Sequence, residues 1–126
     1  MPGDPSDRRA AAAERPCWCR ARVEAGWQLV ELGGDLDWTD AAEVRAMLCR
    51  LRPPPHGRLA MDMRALTFMD STGIRLVLHA LALAEESGAE FAVIRGIPAV
   101  HGVLELVGLD EQLRIVDDPR ELARSA

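Results

Sequence analysis

Apolar and polar residues alternate from position 17 to 24. Cys17, Cys19, Ala21 and Val23 fall on one side and Trp18, Arg20, Arg22 and Glu24 on the other, the period of a half-buried strand. Gly26 marks a turn, and Trp27 to Leu32 reads as the second strand of a hairpin. Gly33 to Asp37 reads as a turn-forming loop. Ala41, Val44, Leu48 and Leu51 then recur at helical spacing, predicting a helix over 39–51 that Asp37 or Thr39 caps and Pro53-Pro54-Pro55 ends. Leu59 to Met63 predicts a short buried strand, followed by a loop over 64–69. A long helix starts near Asp70-Ser71, with Ile74, Val77, Leu78, Leu81 and Ala84 as its buried stripe and Gly88 as its stop. Phe91 to Ile94 is a buried strand. Pro98 opens a third helix, in the first-turn position that proline favours; Val100, Val103, Leu104 and Val107 line it and Gly108 stops it. Leu113 to Val116 is a last strand, and Asp117 or Asp118 caps a short helix from Pro119.

The order β-β-α-β-α-β-α-β-α predicts an α/β single domain. Its sheet is mixed and mostly parallel, with an N-terminal antiparallel hairpin and about four helices. Residues 1–16 lack apolar periodicity and read as a disordered tail, leaving 17–126 for the domain. No apolar run reaches the roughly 18 residues that a membrane helix needs, and the N-terminus has no apolar signal segment. The expectation is a cytoplasmic protein without membrane insertion. A net charge of −5 with no dense basic patch argues against a nucleic-acid partner. Cys17 and Cys19, one residue apart on a strand, are expected as core thiols, since no further ligands stand near them at a metal-binding spacing.

The stretch Leu66-Thr67-Phe68-Met69-Asp70-Ser71-Thr72-Gly73-Ile74 delivers two hydroxyls to the start of a helix. There, unpaired backbone N–H groups and the positive end of the helix dipole tolerate a phosphate. Gly73 leaves room for another backbone to approach. On these residues alone, Ser71 reads first as a helix cap, with Asp70 as an acidic neighbour in the first turn. A nucleophilic role lacks a base: His79 lies about 12 Å along the same helix, His56 and His101 lie on other segments, and no nucleophile elbow is present. The histidines read as surface residues. Asp35, Asp37, Asp62 and Asp70 sit near strand ends or loops and are explained as caps and turn residues, so no metal is expected. Gly33-Gly34 lacks the spacing of a nucleotide-binding loop, and no cofactor is expected.

Two segments together resemble the STAS-domain family of anti-sigma-factor antagonists. Phe68-Met69-Asp70-Ser71-Thr72-Gly73-Ile74 is similar to that family's phosphorylation motif. Gly34-Asp35-Leu36-Asp37 is similar to its acidic loop between the second strand and the first helix. The resemblance implies a STAS-like fold and a binding switch in place of an enzyme. Ser71 is the implied phosphoacceptor, with Asp70, Thr72 and Gly73 as motif neighbours and Asp35 and Asp37 in the adjoining loop. The implied partners are an anti-sigma-factor serine kinase of the histidine-kinase-like ATPase fold, engaged when Ser71 is unphosphorylated and released when it is phosphorylated, and a PP2C-type phosphatase that resets the switch. Two residues depart from the pattern. Arg75 stands where many antagonists carry a small residue, placing a charge one turn from Ser71. Trp38 stands beside the acidic loop as a candidate interface anchor. The alternative within the same family is an adaptor subunit of a lipid-transport ABC system or of a stress-signalling scaffold.

Overall fold

The computed structural model describes residues 16–51 and 57–123. The tail expected over 1–16 therefore lies outside the described residues except for Pro16, as do the proline stop at 53–55 and His56. The chain forms β1 (Trp18–Glu24), β2 (Trp27–Leu36), α1 (Ala41–Leu51), β3 (Arg58–Met69), α2 (Ser71–Glu86), β4 (Glu90–Ile94), α3 (Pro98–Leu106), a 3-10 turn (Leu109–Glu111), β5 (Ile115–Val116) and α4 (Arg120–Ala123). The five strands lie side by side in chain order. β1 and β2 are antiparallel, and each later strand is added in parallel.

Because the sheet grows in one direction and parallel crossovers are right-handed, α1, α2 and α3 share one face. The side-chain period of two then sorts each strand between two cores. Val30, Met61, Val93 and Ile115 stand in register across β2 to β5 and pack with Val44, Leu48, Leu76, Val77, Ala80, Val100 and Leu104 of the helices. One residue away, Leu29, Ala60 and Ala92 point to the opposite face. There they join Trp27, Ile94, Val116 and Leu122 of α4 in a smaller cluster. On that face Glu31 is buried and bound by the guanidinium groups of Arg20 and Arg22. Asp62 is held by Arg64 through Nε at 3.0 Å and Nη2 at 2.8 Å. Each buried carboxylate thus carries its counter-charge, which its burial requires.

Several expectations change. The loops expected at 33–37 and 64–69 are strand: β2 and β3 stay paired out to Leu36 and Met69, with register irregularities between Glu31 and Gly33 and between Gly34 and Asp35. The glycines fit this route. A side chain on Gly33 would meet the Trp18 indole, and Gly34 takes a φ of +77°. Asp62 consequently lies within β3 on the opposite face and not at a strand end. On α2 the buried face is Thr72, Gly73, Leu76, Val77, Ala80 and Ala84, while Leu78 is 44% exposed. Val107 falls past the end of α3 and is exposed. β1 is an edge strand whose far end leaves the core, with Val23 72% exposed. Of the four residues expected on its inner side, only Cys17 and Cys19 pack against the main cluster. Burial, followed by the charge of Asp40, pushes the Cys17 thiol up to about 12. Of the histidines, His101 is buried and not at the surface.

Candidate functional site

β2 and β3 end side by side. Leu36 pairs with Met69, so the next residues, Asp37 and Asp70, leave adjacent strands at the same level, about 4.8 Å apart in the hydrogen-bonding direction. One leads into α1 and the other into α2. The two segments singled out in the sequence, some thirty residues apart in the chain, therefore share one rim.

The start of α2 decides what Ser71 does. Asp70 has extended backbone and is the cap, accepting a hydrogen bond from the Thr72 N–H on Oδ1 at 2.8 Å. Its carbonyl accepts from the Gly73 N–H at 3.0 Å. Ser71 is thus the first helical residue, exposed, and its hydroxyl is not needed to close the helix. Thr72 and Gly73 point inward and are buried. A Cβ on Gly73 would lie 2.1 Å from both Cγ and Sδ of Met69. The close approach that this glycine permits is therefore internal: it seats α2 on β3. Met69 is itself buried, so its side chain cannot give way into solvent. Gly73→Ala is expected to lower stability by about 1–3 kcal/mol through overpacking, against the roughly 1 kcal/mol that alanine gains over glycine in a helix. A urea midpoint at or above that of the wild type would show that Gly73 does not hold this contact.

The adjoining segment is fixed by its own hydrogen bonds. Thr67 Oγ1 donates to Asp35 Oδ1 across β2 and β3. Asp37 Oδ1 accepts from the Thr39 N–H at 2.8 Å and the Thr39 hydroxyl at 2.6 Å. The Asp37 N–H donates to Asp40 Oδ2 at 3.1 Å, and burial raises the Asp40 carboxyl above the usual range. Trp38 projects from this turn, 70% exposed. Arg75 is exposed four residues after Ser71, the spacing that puts two side chains on one face of a helix. The rim thus presents a hydroxyl among carboxylates, one guanidinium and an indole. Thr67, which orients the Asp35 carboxylate, and Asp40, which holds the Asp37 backbone N–H, were not among the residues picked from the sequence. Thr67 becomes meaningful only once the β2–β3 register is known, whereas Asp40 had a signal, an acid three residues after Asp37 at a helix start. His79 lies away from the rim, 3.6 Å from the Cys49 thiol.

No helix among the described residues is long and apolar enough to cross a membrane. A family model described as "Mlab, STAS domain" matches residues 20–117. The chain is 31% identical over 96 residues to the anti-sigma F factor antagonist of Paenibacillus polymyxa, covering 74% of this chain and 80% of that protein. A STAS-domain anti-sigma-factor antagonist from Planctomyces limnophilus superposes with a TM-score of 0.75 at 18% identity, covering 85% of this chain and 96% of that one. The Bacillus cell fate determinant SpoIIAA in its phosphorylated form does so with a TM-score of 0.63 at 19% identity, covering 86% of this chain and all (100%) of that one.

Proposed function

Since the chain belongs to the STAS-domain family, we propose that it is an anti-sigma-factor antagonist whose hold on its partner is set by the phosphorylation state of Ser71. The observation that carries this reading is the division of labour at the start of α2: Asp70 closes the helix, and the Ser71 hydroxyl stands exposed at its positive end. A related protein, SpoIIAA, is known in a phosphorylated form. The partner is an anti-sigma factor with a histidine-kinase-like ATPase fold. It docks on the rim of Asp35, Asp37, Trp38, Asp70 and Arg75 and transfers the γ-phosphoryl group of its ATP to Ser71 Oγ, leaving ADP. Thr72 and Gly73 shape the rim from below. The phosphate adds about −1.5 to −2 charges beside Asp70, and Arg75 on the same helix face is placed to pair with it. A PP2C-type phosphatase hydrolyses the phosphoserine and restores binding. The protein catalyses no reaction of its own and works in the cytoplasm.

The direct test is intact-mass and phosphopeptide analysis after incubation with host lysate and ATP. Wild type is expected to gain a single phosphate on the peptide containing Ser71, and Ser71→Ala is expected to gain none. A lysate with demonstrably active kinases that leaves wild type unmodified, or that modifies both proteins alike, would remove the switch and leave the adaptor reading of the same fold.

A further inference from the structure

His101 is one of the few polar side chains buried in this protein, 7% exposed. Its two ring nitrogens meet different surroundings. Nε2 lies 2.8 Å from Nη1 of Arg95, and Arg95 Nε donates to Asp117 Oδ1 at 2.7 Å. A guanidinium only donates, so Nε2 is the acceptor and the ring proton sits on Nδ1. Nδ1 is buried and has no hydrogen-bond partner among the described residues. Two carboxylates stand close by. Glu105 follows His101 by four residues on α3, on the same helix face. The left-handed turn at Gly108, with φ +75°, brings Asp110 of the 3-10 turn back toward them. One donor atom from each of His101, Glu105 and Asp110 lies within 4.8 Å of the others.

We propose that these three side chains bind one divalent transition-metal ion, Zn²⁺ by the chemistry of the donors, through Nδ1 of His101 and a carboxylate oxygen from each acid. One imidazole nitrogen with two carboxylates suits zinc, whereas Mg²⁺ and Ca²⁺ favour all-oxygen sets. Donors about 2.0–2.2 Å from a tetrahedral metal stand about 3.3–3.6 Å from one another, so the three need to close by at most about 1.5 Å. The imidazole stays neutral on binding. Its proton moves from Nδ1 to Nε2, and Nη1 of Arg95 withdraws while Nε keeps its bond to Asp117. The ion ties the end of α3 to the turn that follows it. Because it binds only the folded arrangement, it raises the melting temperature. The site shares no residue with the Ser71 rim and does not depend on the switch.

The experiment uses the full chain stripped of metal by a chelator and then titrated with Zn²⁺ in a calorimeter, with Co²⁺ as a spectroscopic probe. Wild type is expected to take up one Zn²⁺ per chain. Its Co²⁺ complex is expected to show d–d absorption without a thiolate charge-transfer band, which separates this site from Cys17, Cys19 and Cys49. Glu105→Gln and Asp110→Asn keep His101 in place and are expected to weaken binding by at least about 100-fold, since loss of outer-shell partners alone costs 10–100-fold. No Zn²⁺ uptake by wild type, unchanged affinity in both variants, or a thiolate band in the Co²⁺ complex would overturn the proposal.

Discussion

Ser71→Asp is expected to weaken binding of the anti-sigma partner by about 100-fold or more while leaving the fold intact. The fold should hold because Ser71 is exposed and Asp70, not Ser71, caps α2. A carboxylate in the first turn of a helix also faces the favourable end of its dipole. Stability is therefore expected to move by no more than about 0.5 kcal/mol, as for ordinary surface changes. Binding responds differently. The rim already carries Asp35, Asp37 and Asp70, and docking desolvates the Ser71 hydroxyl at its centre, so a carboxylate there sets like against like away from water. Such a juxtaposition costs several kcal/mol, and about 2.8 kcal/mol is already a factor of 100. Phosphate, with nearly twice the charge, should act at least as strongly. Ser71→Ala removes only a hydroxyl and should bind as wild type does while taking no phosphate. Calorimetric titration of the three forms with the proposed kinase-like partner decides the matter: equal affinities for all three would end the proposed switch mechanism.

Trp27→Ala is expected to be the most damaging single truncation on the face opposite α1, α2 and α3, costing about 3–5 kcal/mol, the usual range for a buried tryptophan. Trp27 is fully buried at the head of the smaller cluster, with Leu29, Ile94, Val116 and Leu122 around it. The guanidinium carbons of Arg58 and Arg114 lie 6.0 and 5.7 Å from the centre of its ring, close enough for cation–π attraction. The cluster is small and backed by only one short helix, so its neighbours have little with which to refill the space. For a domain of this size the melting temperature should fall by about 10 °C or more. Trp27→Phe separates packing from polarity. The indole Nε1 is buried without a hydrogen-bond partner among the described residues, so losing that N–H offsets part of the lost volume, and the cost should be well under half that of alanine. A loss below about 1 kcal/mol for Trp27→Ala would mean that this face is not a packed core.

The alternation of residues 17–24, the helical spacing from Ala41 to Leu51, and the proline and glycine stops around α2 and α3 announced the element order. The order announced a parallel sheet behind a hairpin. These signals are local: a strand or helix facing a core must repeat apolar residues with its own backbone period, whatever the rest of the chain does. The two acidic segments were also visible, together with the serine between Asp70 and Thr72. Their meeting on one rim was not, because it depends on β2 and β3 remaining paired through two irregularities to Leu36 and Met69, and pairing energy belongs to both strands at once. The same limit explains α2. Its sequence allows either Leu78 or Leu76 to face inward, and only the helix's seat on β3, set by Gly73 against Met69, turned Leu76 in and Leu78 out. It explains His101 as well, a residue whose spacing gives no hint of burial until β4, α3 and the following turn enclose it. Local periodicity in the sequence therefore determined which elements this protein has and that the Ser71 hydroxyl lies at the start of a helix. Tertiary structure alone decided which side chains share the rim and which polar groups lose their water, because each of these depends on contacts between segments that no single stretch of sequence contains.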